Sequence, residues 1–258
     1  MATAFYEPLG DDTYRSTEHT SGPWGPESQH AGPPSALLTR ALEQMPSSWP
    51  GHLTRISLDI LGAVPVADLT VRTRTLRPGR SVELVEGELT SGGRPVLRAQ
   101  AWRMSVAELD LPASPLEPEP APEFPDSDSA FFDWSGGYLQ AMQWRFVPGS
   151  PQGEGRGAVW ARMRIPLVPD EEPTAMQRVM TLADTGNGVS HRLDASKWFF
   201  INTELTVHLI APPTGEWFCL DAISRLDPAG FGLASSRLYD RDQLVALGAQ
   251  SLFVRERA

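Results

Sequence analysis

The sequence predicts an α+β chain made of two similar units, each a long helix followed by antiparallel strands. Three observations carry this. The 258 residues suit one large domain or two of ordinary size. Each half opens on an amphipathic helical pattern and continues as alternating strands, so a curved sheet wrapped around its own helix would bury both. The halves also repeat. Pro78 and Gln100 lie 150 residues before Pro228 and Gln250, and "ISLDILGAVP" falls beside "LTVHLIAPPT" at nearly the same offset.

The first unit is expected over 1–107. Its opening, "MATAFYEPLGDDTYRS", has no basic start and no apolar run, so it does not read as a secretory signal. A helix is expected at 34–45. Pro33 and Pro34 suit a first helical turn, and Leu37, Leu38, Ala41, Leu42 and Met45 recur at helical spacing. "SVELVEGELT" alternates as a half-buried strand does, and "SGGR" at 91–94 supplies a hairpin turn.

Residues 108–130 read as an extended linker. The stretch 106–133 holds eight acids, six prolines and neither Lys nor Arg. Proline removes donors and fixes φ, while like charges keep the chain open. The second unit is expected over 131–258. Within it "GYLQAMQWRF" at 137–146 reads as strand and core, and "AVWARMRIP" as a strand. A second helix is expected at 174–185, opened by Pro173. Met176, Val179, Met180 and Ala183 form its apolar stripe, and Gly186 and Gly188 end it. "YDRD" at 239–242 turns a later hairpin.

Composition excludes several functions. The net charge is −10 with no basic cluster, which argues against nucleic acid as a partner, because phosphate binding needs clustered cations. No apolar run is long enough to span a membrane as a helix. A single cysteine, Cys219, excludes a disulfide within the chain and fits a reducing, cytoplasmic compartment. Five scattered histidines and one cysteine make no metal site, and His191 and His208 read as structural. Neither a nucleophile elbow nor a phosphate loop is present, and no cofactor is expected.

Asp184 is the residue that stands out. It lies four positions after Met180, on the apolar face of the second helix and in its last turn. Burial and the helix dipole both raise the pKa of a carboxylate there, as functional sites do. The other reading is that Asp184 starts the "DTGN" turn and faces water.

Four stretches together resemble TesB-like acyl-CoA thioesterases of the type II branch: "HAGPPSALLTRALE" at 30–43, "RVMTLADTGNG", "INTELTVHLIAPPTGEW" and "ALGAQSLFVR". The resemblance covers nearly the whole chain apart from the linker. It implies a double hotdog, two helix-in-sheet units with their sheets joined into one. It also implies an enzyme of fatty acid metabolism that hydrolyses acyl-CoA or another acyl-thioester to free acid and thiol. A homodimer of double hotdogs is compatible with it.

In that branch an Asp, a Thr or Ser, and a Gln of the C-terminal unit hold a water for attack. The matching positions are Asp184 and Gln250. Anchoring the strand on its proline end puts the hydroxyl residue at Asn202, and a slip of one puts it at Thr203. Asn202 departs from the pattern, since it can hold a water but has no hydroxyl. Gln250 also reads as a plain sheet residue, because the repeat places Gln100 opposite it. Asn202 falls opposite Leu53 or Thr54, so the first half lacks the set and one site is expected. Backbone N–H groups near His30 and Gly32 are expected to help bind substrate, although His30 reads first as a helix-entry hydrogen bonder and only second as a pocket residue.

Hydrolysis needs a base, a positioned water and donors for the oxyanion. The alternative on the same scaffold is a non-catalytic acyl-thioester binding protein. A hydratase reading is weak, because "DTGNGVSH" lacks the proline and the His spacing of such enzymes.

Overall fold

The computed structural model describes residues 3–23, 25–112, 119–129, 136–150 and 153–257. The first half carries β1 Tyr6–Gly10, β2 Thr13–Ser16, β3 Ser21–Gly22, β4 Gly25–Gln29, α1 Gly32–Glu43, β5 Gly51–Ile60, β6 Asp68–Arg77, β7 Val82–Ser91 and β8 Arg94–Ser105. The second carries α2 Gly137–Ala141, β9 Met142–Phe146, β10 Arg156–Met163, α3 Ala175–Ala183, α4 Gly186–Val189, β11 Trp198–Asn202, β12 Glu204–Leu209, β13 Phe218–Asp227, β14 Phe231–Tyr239 and β15 Leu244–Glu256.

One 13-stranded sheet runs β1-β2-β6-β7-β8-β5-β12-β15-β14-β13-β10-β9, with β11 also paired to β15. Every pairing in it is antiparallel. The halves meet at β5 and β12, where Ile56 faces Val207 and Leu58 faces Leu205. All four of those side chains are buried. The expected α+β class and continuous sheet are therefore what the chain forms.

The repeat is real, but its register differs from the sequence alignment. Ser57 pairs with Gln100 in the first half and Thr206 with Ala249 in the second, while Ser57 and Thr206 pair with each other across the seam. The counterpart of Gln100 is therefore Ala249, and that of Gln250 is Ala101. A slip of one residue turns a side chain to the other face of a sheet. Gln250 is buried at 2 % exposure among the inward residues, whereas Gln100 lies half-buried beside Glu86. The inward glutamine thus belongs to the second half alone.

Helices α1 and α3 pack antiparallel against the inner face. Gly32 at the start of α1 lies so close to the Thr181 carbonyl that a Cβ would overlap it. At the other end, Thr174 and Gln177 donate to the Glu43 carboxylate, and Arg40 reaches Glu171 at 2.6 Å. Both helices were expected within two residues of where they form. The glycines after α3 do not end helical structure outright. Gly186 opens the short α4, because the backbone must pass close to Gln250, and a Cβ on Gly186 would sit 2.6 Å from Gln250 Oε1.

The stretch expected as strand and core begins instead as helix α2 and becomes strand only at Met142. Its cause is a tight passage, since Gly137 donates its N–H to Ser21 Oγ at 2.9 Å beneath the Glu18–Thr20 turn. Of the acidic segment, 113–118 and 130 lie outside the described residues. Its described part forms no helix or strand. Residues 119–129 lie against the second half. Glu123 accepts from Trp160 Nε1 at 3.0 Å, Phe124 packs edge-on to Trp160 and Trp217, and Asp128 pairs with Arg145 at 3.0 Å.

Candidate active site

The antiparallel helix pair brings the N-terminus of α1 to the C-terminal end of α3. That is where Asp184 sits, as the residue closing α3. It is 4 % exposed, so the reading of a solvent-facing turn is not what forms. The first turn of α1 has few free N–H groups, because Pro33 and Pro34 contribute none. Of those that remain, Ala31 donates to Asp184 and Gly32 donates to His30 Nδ1 at 3.1 Å. The positive end of α1 therefore offsets the unfavourable end of α3.

Three of the expected residues converge on this carboxyl. Asn202 Nδ2 donates to Asp184 Oδ1 at 2.8 Å, and Gln250 Nε2 lies 3.3 Å from the same oxygen. Gln250 also donates to the Asp184 carbonyl at 3.1 Å and accepts from Asn187 N–H at 3.1 Å. It thus ties down both sides of the α3–α4 break. Thr203 turns the other way, its hydroxyl directed to the Ser251 carbonyl at 3.4 Å. His30 Nδ1 stands 3.3 Å from Asp184 Oδ2. The Gly32 N–H is spent on the imidazole, where the sequence suggested a donor for substrate.

Burial dominates the electrostatics. It pushes the Asp184 carboxyl up to about 7, against the pull of donors from Asn202, Ala31 and Gln250. It pushes His30 down to about 3. At neutral pH the imidazole is therefore uncharged. Since Nδ1 accepts the Gly32 N–H, the imidazole proton sits on Nε2.

A cavity of about 360 Å³ opens over this spot. Both halves line it: His30, Ala31, Ile60 and Val64 from the first, and Leu139, Asp184, Thr185, Phe199, Ile201, Asn202 and Thr203 from the second. An apolar cavity with a few convergent polar groups is the usual form of a small-molecule site. Among the described residues no cluster of His, Cys, Asp and Glu has the arrangement to hold a metal ion. Tyr138 and Thr185 also belong here, and neither stands out in the sequence. Tyr138 sat in a stretch that reads as core, and Thr185 was hidden behind its acidic neighbour.

Two family models match. The acyl-CoA thioesterase N-terminal domain matches residues 20–104, and the acyl-CoA thioesterase C-terminal domain matches residues 115–254. The chain belongs to the acyl-CoA thioesterase family. No curated relative matches at a significant level. Three solved structures share the family's architecture. A hot dog fold protein of unknown function from Alicyclobacillus acidocaldarius is 14 % identical with a TM-score of 0.75, covering 95 % of this chain and 93 % of that one. A proposed thioesterase II from Thermobifida fusca is 21 % identical with a TM-score of 0.74, covering 98 % and 96 %. The acyl-CoA thioesterase II TesB2 of Mycobacterium marinum is 16 % identical with a TM-score of 0.69, covering 98 % and 96 %. At these identities the likeness establishes the fold, a double hotdog. In this acyl-CoA thioesterase family member, no helix among the described residues is long and apolar enough to cross a membrane.

Proposed function

We propose that the protein hydrolyses acyl-CoA, or a related acyl thioester, to a carboxylic acid and a free thiol. One observation supports this above the rest: a buried carboxyl with its pKa near 7 meets Asn202 and Gln250 beside an apolar cavity. A base works best when its pKa lies near the working pH. In this reading the acyl chain lies along the apolar wall and the thioester carbon faces Asp184. A water held at Asp184, whose carboxylate Asn202 and Gln250 fix by donating to it, attacks that carbon. Its proton passes to Asp184. His30 Nε2–H is a donor for the oxyanion. Collapse breaks the carbon–sulfur bond, and the departing thiolate takes the proton that Asp184 received, which returns the carboxylate. Gln250 holds Asp184 in place. Fatty acid metabolism in the cytoplasm is the setting such a substrate implies.

The test is release of free thiol from acyl-CoAs of graded chain length by the whole chain. The expected result is turnover that Asp184→Asn lowers by about 100-fold or more, as loss of a general base does. The second reading, a non-catalytic binder, draws on Asn202, which brings an amide where a hydroxyl was sought. Tight binding of acyl-CoA with no thiol release would favour it and end the hydrolase proposal.

A further inference from the structure

Tyr138 has no role in the reading above, yet it touches both sides of the site. The backbone that delivers it is tightly held. A Cβ on Gly137 would run into the Glu18 carbonyl, and the Gly137 N–H is fixed to Ser21 Oγ. Tyr138 is fully buried. Its ring stacks on His30 with centroids 3.9 Å apart and planes 9° apart. Trp144 meets the same ring edge-on at 5.9 Å.

The hydroxyl of Tyr138 decides a proton direction. It lies 2.9 Å from the Thr181 carbonyl and 2.8 Å from Thr185 Oγ1. A carbonyl accepts only, so the single tyrosine proton goes to Thr181. The Thr185 contact must then use the threonine proton, donated to the tyrosine oxygen. Thr185 is 2 % exposed and lines the cavity next to Asp184. With its proton committed, Thr185 Oγ1 can only accept from whatever lies in the cavity.

We infer that Tyr138 is a positioning residue for the proposed hydrolysis: its ring fixes the plane of His30, and its hydroxyl locks Thr185 as a hydrogen-bond acceptor beside Asp184. A water between the two then has one proton directed to the carboxylate and the other to Thr185, which leaves a lone pair for the acyl carbon. Asn202 brings no hydroxyl to the site, and Thr185 supplies one from the helix side. The inference rests on the hydrolase reading, and wild-type thiol release tests that reading separately.

The experiment compares Tyr138→Phe, Thr185→Val and the double variant by steady-state thiol release. Each single change is expected to lower kcat by about tenfold, the scale of one lost hydrogen bond, with KM within about twofold. The hydroxyls act in series, so the double variant should fall no further than the worse single one. Tyr138→Leu, which also loses the stack, should fall further. In that variant the His30 ring protons should lose their upfield NMR shift, while Tyr138→Phe keeps it. Thr185→Val covers the case in which a Tyr138 variant folds poorly. The inference is overturned if both single variants keep wild-type kcat, if the losses multiply, or if they fall on KM alone. Absence of thiol release from the wild-type chain would sink the hydrolase reading, and this role with it.

Discussion

Asp184 carries a cost that its neighbours only partly offset. Its carboxyl is moved from 3.8 to about 7, mainly by burial. Stability from a group raised in the folded state is full below its unfolded pKa and is lost as pH rises through the folded one. The loss here runs from about pH 4 to about pH 7 and is on the order of 4 kcal/mol. Asp184→Asn removes the titration and keeps an oxygen for the Asn202 and Gln250 donors. Its melting temperature should therefore exceed that of the wild type at pH 8, and the gap should close near pH 4. Equal melting temperatures at pH 8 would mean that the carboxyl is not buried as described. The wild-type rate should rise with pH through about 7. Asn202→Ala removes a donor that favours the charged form, so that limb should move to higher pH. The lost turnover should be smaller than for Asp184→Asn, because a water can replace one amide donor.

The helices were legible in the sequence because their signals are local: prolines at the start and an apolar stripe of period 3.6. Asp184 was legible for the same reason, since it shares the stripe with Met180. What lay across space was not. The stacking of Tyr138 on His30 joins two elements far apart in the chain, and no spacing announces it. The Gln100–Gln250 alignment failed because sequence identity does not register which face of a strand a residue takes. Gly186 shows how an element boundary and the site depend on each other. It was read as a helix stop, yet its lack of a side chain is what admits Gln250. Gly186→Ala should push Gln250 away from Asp184 and Asn187 and cost about 1–3 kcal/mol, the range for leaving buried polar groups unpaired. Urea denaturation would measure it. An unchanged midpoint would mean that Gln250 swings aside freely and holds nothing in place.

At the scale of the molecule, the halves are joined by more than the acidic segment. The β5–β12 ladder, the α1–α3 packing and the Arg40–Glu171 pair all cross between them. The site depends on the same junction, with His30 and Ala31 on one side of it and Asp184 on the other. The covalent connection should therefore be dispensable once the chain has folded. A protease site inserted after Leu111, which is exposed at 71 %, tests this, since cleavage concentrates in exposed backbone without ladder bonds. After cutting, the two fragments should co-elute under native conditions and separate only in denaturant. Thiol release, if the wild type shows it, should persist, because none of the described residues 108–112 lines the cavity. Cleavage within 119–129 should be slower, since Glu123, Phe124 and Asp128 tie that stretch to the second half. Two soluble fragments that part without denaturant would contradict a seam able to hold the sheet together, and with it the shared site.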